Sequence, residues 1–517
     1  MSGDRSLSRR ASGGFAALAF GQGGQVIVQV VTFPILARLI APDGFGLLAA
    51  ALVVVNIASL LASLGLGTAL VQQRELRVTH IRAAFTLQLA AAIGVFGAVI
   101  AAAPWFADLL RMPELTGVLR VMGAASFVRA LTLGDALLRR RLEFRPLAAI
   151  ELTAYAIGHG VVTVGLGLAG YGVWALVLGH LAAAALSTGL LWIVAPHPAG
   201  PYLGHRERRD LLGTGIGFTL SQAGYQIAHQ ADDLIVGRFL GAYSLGLYER
   251  AYRLMRLPAS AIGHILGQVL YPAMASVQDQ RDRLRGMFAI CTSALAAVTV
   301  PATAVVLVVA HELVLVVLGP DWLELRPVLN VILFGMYLKA SESITDSTIV
   351  ATGAVYRLAT RRWLYAGAVI LGASIGQRWG LAGVAFGALA AMVVNTLLLV
   401  RLSLHNVAMS WSAFLRLHAP AAFITALVLV FVSPTATALR QIGAPAAAVL
   451  LAAAIVAAVA VLVASRTAHL VGWTGLSTLL DQLELLAPDP RLQRLAGLLR
   501  SAAHRPQLDP DPEAADR

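Results

Sequence analysis

Long apolar stretches alternate with short polar loops along almost the whole chain. Many of these stretches reach about 18 residues or more, enough for a helix to cross a hydrocarbon core about 30 Å thick. Because a helix satisfies its own backbone hydrogen bonds, the pattern predicts an all-α integral membrane protein. The stretch at 363–376 is short for a full crossing. About fourteen transmembrane helices are predicted, at 14–40, 45–71, 83–106, 118–138, 147–168, 171–195, 211–240, 244–277, 287–312, 325–350, 363–376, 380–404, 414–432 and 443–465.

Arginines are concentrated in every second loop between the predicted spans. The N-terminal tail and six alternate loops hold 20 arginines, whereas the opposite loops hold only Arg111, Arg378 and Arg440. Short loops rich in basic residues stay on the cytoplasmic side of a membrane. The alternation therefore predicts an even number of spans with both termini in the cytoplasm.

The composition agrees with a membrane protein. The chain has 517 residues, of which 58% are hydrophobic and 13% charged, against about 25% charged in soluble domains. The net charge of +12 would suggest nucleic acid in a soluble protein, but here the basic residues lie in membrane loops, so no nucleic-acid partner is predicted. The single cysteine, Cys291, excludes an intramolecular disulfide framework.

No cofactor is predicted from the motifs of the chain. The only lysine, Lys339, lies outside any GxxxxGK[ST] loop, so ATP hydrolysis by this chain is excluded. His311 and Glu312 lack the second histidine that a zinc-binding helix needs. Transport would therefore be driven by an ion gradient, of H⁺ or Na⁺, or by consumption of the product on the far side.

An internal repeat relates the two halves of the chain. Residues 13–72 and 213–272 share 12 identities in 60 aligned positions, among them Gly46 with Gly246. Six helices separate the copies, so the repeat predicts two six-helix bundles related by a pseudo-two-fold axis along the membrane normal. The alternative is chance similarity between apolar segments. The predicted domains are a cytoplasmic tail (1–13), an N-lobe with helices 1–6 (14–195), a C-lobe with helices 7–12 (211–404), helices 13–14 (414–465) and a partly disordered cytoplasmic tail (466–517).

Polar side chains recur on one face of the seventh predicted helix. Their spacing of three and four residues is that of a helical stripe. Helix 1 carries a weaker counterpart, and two such stripes, one per lobe, would line a central hydrophilic cavity that binds substrate. The alternative is that they join neighbouring helices by hydrogen bonds within the membrane. The stripe of helix 7 comprises Thr219, Gln222, Gln226, His229 and Asp233, and that of helix 1 comprises Gln22, Gln25, Gln29 and Thr32.

Charged side chains gather in the hairpin between predicted helices 7 and 8. One interpretation is a buried ion-pair cluster that locks the hairpin and takes part in coupling or gating. The other is that Arg253 and Arg256 face the cavity and bind a diphosphate, because a guanidinium group makes bidentate contacts to phosphate oxygens. The cluster comprises Asp232, Asp233, Glu249 and Arg250, together with Arg253 and Arg256.

A second charged group lies in the tenth predicted helix, where Lys339 and Glu342 share a face. A buried lysine can lose its proton, whereas arginine effectively cannot. These two residues are therefore candidates for proton coupling, with an ordinary ion pair as the alternative. In helix 4, Asp135 and Arg139 are expected to form a local ion pair.

Three segments resemble polysaccharide flippases of the Wzx or colanic-acid-exporter type, within the multidrug/oligosaccharidyl-lipid/polysaccharide exporter superfamily. They are FPILARLIAPDGFGLLAAALVVVNIASLLASLGLGTALVQ, DDLIVGRFLGAYSLGLYERAYRLMRLPASAIG and LAGYGVWALVLG. The similarity runs over roughly residues 13–410. It implies alternating-access export of an undecaprenyl-diphosphate-linked oligosaccharide across a bacterial inner membrane. The partners implied are this lipid-linked substrate, membrane lipids and a polysaccharide polymerase or export complex.

Other functions remain open from the sequence. Within the same superfamily, the alternatives are a peptidoglycan-precursor flippase and an ion-coupled drug antiporter. A membrane polymerase or ligase would need a long far-side loop, and the predicted far-side loops reach only about a dozen residues. A non-transporting assembly scaffold would not need polar stripes in both halves. A transporter, rather than an enzyme, is therefore the favoured reading.

Overall fold

The computed structural model describes residues 2–277, 280–352 and 355–467, and all regular structure in these ranges is helical. The predicted tail at 466–517 lies almost entirely outside the described residues. The helices of the first part are α1 (Ser2–Leu39), α2 (Pro42–Ser63), α3 (Leu66–Gln72), α4 (Val78–Leu110), α5 (Leu115–Arg129), α6 (Gly134–Arg140), α7 (Phe144–Tyr155), α8 (Thr163–Leu168) and α9 (Val173–Val194).

The second part contains longer helices and two short 3₁₀ turns, Pro320–Leu325 and Gln377–Trp379. A π-helical segment, Ala156–Val162, joins α7 to α8 in the first part. The remaining helices are α10 (His205–Ser276), α11 (Arg281–Val308), α12 (Ala310–Val317), α13 (Arg326–Leu333), α14 (Gly335–Ala351), α15 (Val355–Gly376), α16 (Gly380–Asn406), α17 (Trp411–Arg416), α18 (Ala419–Gln441) and α19 (Ala446–Thr467).

The multi-pass membrane character is confirmed. Within the described ranges, eight helical segments are long and apolar enough to cross a membrane, or up to nine if the bent pair α5–α6 is one span. Neither α1 nor α10, which carry the two polar stripes, is among the eight. The count of fourteen spans therefore stays a prediction.

The helix α10 is a hairpin and not one straight rod. Gly241 has φ 85° and ψ 176°, which breaks the helix into a first arm (205–240) and a second arm (242–276). The Tyr248 hydroxyl donates a hydrogen bond to Asp232 Oδ2 at 2.9 Å, although the two residues are 16 positions apart. In a straight helix they would lie about 24 Å apart. The contact shows that the second arm folds back along the first, as predicted for helices 7 and 8.

A second hairpin joins α15 to α16 through the turn Gln377–Trp379. Gly372 faces the backbone of Gly387, and Gly376 faces that of Gly383, with no room for a side chain at either contact. Small residues at such positions allow two helical backbones to approach closely inside a membrane. The 47-residue apolar segment Thr360–Asn406 is thus two packed helices, which correspond to the predicted spans at 363–376 and 380–404.

The chain forms two compact units. The first comprises Met1–Pro258, Leu313–Gly335 and Val355–Leu398. One of its cores contains Leu66, Leu70 and Leu133, which are almost fully buried. It also contains the π-helical segment, where the Thr163 hydroxyl donates to the Gly158 carbonyl at 3.0 Å.

The second unit comprises Ala259–Glu312, Met336–Ala354 and Leu399–Arg517. Its core is built from small and β-branched residues of α18 and α19, including Val428, Val432 and Val449. An ion pair joins α18 to α12: Arg440 donates to both carboxylate oxygens of Glu312 at 2.8 Å and to the Val308 carbonyl at 2.7 Å.

Removing this arginine should destabilise the second unit. The Glu312 side chain is only 5% exposed, whereas that of Arg440 is 40% exposed, so Arg440→Gln leaves a largely buried carboxylate without its partner, at a cost of about 1–3 kcal/mol. The expected result is a lower unfolding temperature of the full-length protein in detergent. Arg416→Gln is the control, because Arg416 is exposed. An equal loss from both variants would contradict this role of the ion pair.

Candidate functional site

The first arm of α10 carries the predicted polar stripe, and it packs against α15. The ring of His229 contacts Tyr225 and Tyr365, with centroids 4.2 Å and 5.9 Å apart. The Arg362 guanidinium lies 5.3 Å from the Tyr225 ring centroid. Gln222 and Gln226, from the same predicted stripe, are half-buried. The imidazole ring of His229 is therefore packed between the rings of Tyr225 and Tyr365.

The second arm of α10 presents three arginines in different environments. Arg250 is 5% exposed, and its guanidinium lies 3.9 Å from the Phe45 ring centroid and 5.0 Å from that of Phe33. Such cation–π contacts are favourable when the cation is desolvated. Arg256 lies 4.7 Å from the Tyr252 ring centroid. Arg253 is the more accessible of the arginines that pair with Glu249, with 32% of its side chain exposed.

Three carboxylates balance these three arginines. Glu249 lies 3.1 Å from Arg250 Nε and 3.7 Å from Arg253 Nη1, although the N–H of Arg250 Nε does not point at the carboxylate oxygen. Asp232, Asp233 and Glu249 all lie close enough to Arg256 to attract its guanidinium. Buried charges of this kind are tolerated only when they are paired. The structure therefore brings together the whole charged cluster named from the sequence.

The cluster is connected to α1 through a glutamine of the second predicted stripe. With the Gln29 amide oriented so that its oxygen faces α10, that oxygen accepts hydrogen bonds from Nε and Nη2 of Arg253. Gln22, seven residues earlier on the same helix, is half-buried. Arg253 thus contacts groups from both halves of the internal repeat.

The two copies of the repeat also meet at a pair of equivalent glycines. A side chain at Gly46 would overlap the carbonyl of Ala242, and one at Gly246 would overlap the carbonyl of Pro42. Gly46 corresponds to Gly246 in the repeat, and Pro42 corresponds to Ala242 at the same offset. The contact is therefore reciprocal: each copy offers the same glycine and the same carbonyl position to the other.

Lys339 and Glu342 lie in the second unit, on α14. Lys339 Nζ donates to Glu342 Oε2 at 2.6 Å, with both side chains about one-fifth exposed, at 19% and 18%. The two therefore form an ion pair within one helical turn. Whether the pair also exchanges protons stays a prediction.

A polar cavity lies in the first unit, and Gln25 of the predicted helix 1 stripe is part of its wall. Its volume is about 530 Å³, and its wall includes Asn56, Ser126, Arg129, Glu151 and Ser187. These residues come from α2, α5, α7 and α9. Further wall residues lie at helical spacing from them, such as Ser59 and Ser63 after Asn56 on α2, so the wall is built from short polar stripes on several helices.

The predicted ion pair between Asp135 and Arg139 is wrong. Arg139 Nη2 instead donates to Glu151 Oε1 at 3.3 Å, while Asp135 lines the polar cavity. Arg139 and Asp135 lie one turn apart on α6, but α7 packs beside α6 and places Glu151 nearer to the guanidinium. A tertiary contact thus replaces the local pair.

Comparison with known proteins places the chain in a family. Residues 35–327, more than half of the chain, match the family described as "Polysaccharide biosynthesis protein". The lipopolysaccharide biosynthesis protein WzxC of Escherichia coli is 26% identical over 71% of this chain and 76% of its own length. The succinoglycan biosynthesis transport protein ExoT of Rhizobium meliloti is 28% identical over 59% of this chain and 62% of its own length.

Solved structures with the same fold are transporters and flippases. The lipid II flippase MurJ, in an inward closed conformation, aligns with a TM-score of 0.71 at 12% identity, covering 88% of this chain and 99% of MurJ. An inward-facing MATE-family multidrug transporter aligns with a TM-score of 0.61 at 15% identity, covering 76% of this chain and 96% of that chain. These structures show the fold, whereas the family match and the named relatives show that the chain is a multi-pass membrane transport protein that belongs to the polysaccharide biosynthesis protein family of Wzx-type exporters.

Proposed function

We propose that this protein flips an undecaprenyl-diphosphate-linked oligosaccharide from the cytoplasmic to the periplasmic leaflet of a bacterial inner membrane, for exopolysaccharide or lipopolysaccharide synthesis. The observation that carries the proposal is the balanced cluster of arginines and carboxylates in the α10 hairpin, which Arg253 connects to α1 through Gln29. The names of WzxC and ExoT, which refer to lipopolysaccharide and succinoglycan biosynthesis, support it.

In this proposal Arg253 and Arg256 bind the diphosphate. Arg253 is partly exposed and its guanidinium is shared between Glu249 and an amide, so an incoming phosphate could replace weak partners with charge-assisted, bidentate hydrogen bonds. Glu249 and the aspartates then keep the arginines paired when no substrate is bound, which avoids uncompensated buried charge. The glutamines of the two stripes, with His229, line the path of the saccharide: Gln22, Gln29, Gln222 and Gln226.

The topology proposed for this cycle has fourteen spans, two six-helix lobes and both termini in the cytoplasm. The α10 hairpin and the α15–α16 hairpin support it, because each is a pair of antiparallel helices at a position where two spans are predicted. The reciprocal contact of Gly46 and Gly246 supports a pseudo-two-fold axis between the repeat copies. Alternating access would open and close the lobes about such an axis.

The proposed energy source is a gradient of H⁺ or Na⁺. Asp232, Asp233, Glu249 and Arg250 would couple ion movement to the binding of substrate, because a change in the charge of one member alters the pairing of the others. Lys339 and Glu342 are proposed as a second coupling pair, since the ion pair of 2.6 Å would break if Lys339 lost its proton.

The test uses a strain whose only copy of the protein carries Arg253→Ala with Arg256→Ala. We expect at least a tenfold loss of surface polysaccharide and accumulation of the lipid-linked repeat unit on the cytoplasmic face. The matched control is Arg206→Ala with Arg209→Ala, two exposed arginines with the same spacing on the same helix. Both variants must reach the membrane at normal abundance.

The outcomes separate the site from the function. Normal polysaccharide in the Arg253/Arg256 variant removes these residues from the site. Normal polysaccharide after deletion of the whole protein overturns the flippase proposal itself. Lysis of the deletion strain with loss of peptidoglycan would favour a peptidoglycan-precursor flippase, and drug sensitivity alone would favour an antiporter.

A further inference from the structure

The polar cavity of the first unit is near the arginines proposed to bind diphosphate, since Arg253 acts electrostatically on His159 of its wall, but these arginines are not part of the wall. None of Arg250, Arg253 and Arg256 lines it. Its volume of about 530 Å³ falls in the range of about 300–1,000 Å³ that is typical of small-molecule sites. Ionisable and polar side chains are rare within membrane spans. Where they occur, they usually face a bundle interior or a wet cavity. A polar cavity of this size is therefore a candidate binding site for a specific ligand.

The hydrogen-bonding groups of the wall are only partly used by the protein. Ser59 donates to Ser126 at 2.8 Å, and one oxygen of Glu151 accepts from Arg139. Within the part of the chain that the structure describes, no hydrogen bond joins the side chains of Asn56 or Ser187 to the protein. Such groups cost free energy unless another donor or acceptor reaches them. They are available to a ligand.

The wall combines donors and acceptors in the mixture that suits hydroxyl groups. A sugar hydroxyl donates to a carboxylate and accepts from an amide or guanidinium, and the wall offers Glu151, Asn56 and Arg129. Tyr155, also in the wall, adds an aromatic ring, which packs against His159 with centroids 4.6 Å apart. The residues that supply these groups come from three helices, α2, α5 and α7, so their convergence on one space is a property of the fold.

The charges around the wall nearly cancel. The carboxylates of Asp135 and Glu151 face Arg129, and Glu151 is also paired with Arg139. A diphosphate or an acidic sugar would find no excess of positive charge here to bind it, whereas an uncharged saccharide needs none. The cavity and the arginine cluster thus have complementary preferences, one for hydroxyl groups and the other for phosphate.

We propose that this cavity binds one or two uncharged sugar residues of the transported glycan. The inference rests on the proposed flippase function, and it adds a saccharide subsite within the N-terminal helices. Binding there holds the glycan by its hydroxyl groups while the diphosphate is held by α10. The subsite selects between glycans by the number and orientation of their hydroxyls.

The test measures protection of a cysteine in the wall. Cys291, the single native cysteine, is changed to alanine, and Ser187→Cys is introduced in the full-length protein in nanodiscs. The rate of alkylation by N-ethylmaleimide is measured with the methyl glycosides of glucose, galactose, mannose, rhamnose and N-acetylglucosamine. We expect at least one glycoside to slow alkylation several-fold in a saturable way. Ala185→Cys is the control, because Ala185 is exposed and lies outside the wall.

Additional measurements identify the chemical groups that bind the glycoside. The protection should disappear when Asn56→Ala and Glu151→Gln are added, and sodium pyrophosphate should give none. Absence of protection by all five glycosides overturns the inference, as does equal protection at Ala185→Cys. Protection by pyrophosphate or by sodium chloride alone also overturns it, in favour of an ion site.

The flippase proposal and the saccharide subsite can fail independently, and the phenotype of the deletion strain distinguishes the two cases. If purified protein shows glycoside protection but the deletion strain still makes surface polysaccharide, the flippase proposal fails while the binding site stands. If the deletion abolishes polysaccharide but Asn56→Ala with Glu151→Gln transports normally and no glycoside protects, the flippase proposal stands and the subsite fails.

Discussion

A bulky residue at Gly46 should abolish transport while leaving the protein in the membrane. In the structure, a Cβ at this position overlaps the Ala242 carbonyl, and the reciprocal overlap occurs between Gly246 and Pro42. A backbone carbonyl cannot move aside as a flexible side chain can, so Gly46→Leu must separate the start of α2 from the start of the second arm of α10. Overpacking typically costs about 1–3 kcal/mol, and about 3 kcal/mol shifts a two-state equilibrium roughly 100-fold.

The measurement is surface polysaccharide in a strain whose only copy carries Gly46→Leu. We expect at least a tenfold loss at normal membrane abundance, because a transporter that cannot adopt this contact cannot complete its cycle. Gly246→Leu should give the same loss, as the contact is reciprocal. The control is Gly97→Leu, since a Cβ at Gly97 meets nothing within 4 Å. Normal transport by Gly46→Leu would show that the contact is dispensable.

Replacement of Arg250 by methionine should be the most destabilising single change in the charged cluster. Arg250 is only 5% exposed, and its guanidinium packs on Phe45 and Phe33 while it neutralises Glu249. Methionine keeps much of the side-chain volume but removes the charge. Removing one member of a buried ion pair lowers the free energy of unfolding by about 3–5 kcal/mol, because the remaining charge is left unpaired.

A double-mutant cycle distinguishes pairing from packing. Thermal unfolding of the full-length protein in detergent would be compared for Arg250→Met, Glu249→Gln and the double variant. If pairing dominates, the double variant should lose less stability than the sum of the single losses. Arg120→Met is the control, because Arg120 is exposed. Simple additivity would assign the effect of Arg250→Met to lost packing against the aromatic rings.

The sequence alone predicted the membrane class, the positions of most helices and the members of the charged cluster. Hydropathy is a local property, so stretches such as those in α2, α4 and α9 are visible without any tertiary information. The α10 hairpin could be predicted because Gly241 falls between two helical segments. The cluster of Asp232, Glu249 and Arg256 followed from that hairpin.

Only the tertiary structure decided which groups touch. It paired Arg139 with Glu151 of α7 and not with Asp135 of its own helix, and it placed Gln29 of α1 against Arg253 of α10. Contacts between distant segments depend on the packing of whole helices, which local spacing does not specify. The repeat identified Gly46 and Gly246 as equivalent, but only the fold shows that they meet.

The polar cavity is the clearest case. Its wall takes short polar stripes from several helices, such as Asn56, Ser59 and Ser63 on α2, and each stripe is also compatible with ordinary hydrogen bonds inside a bundle. Periodicity reveals a site when one helix supplies several of its residues, as in the stripe of α10. Spacing along one helix cannot show that stripes on different helices meet around one space, because that depends on how the helices pack together.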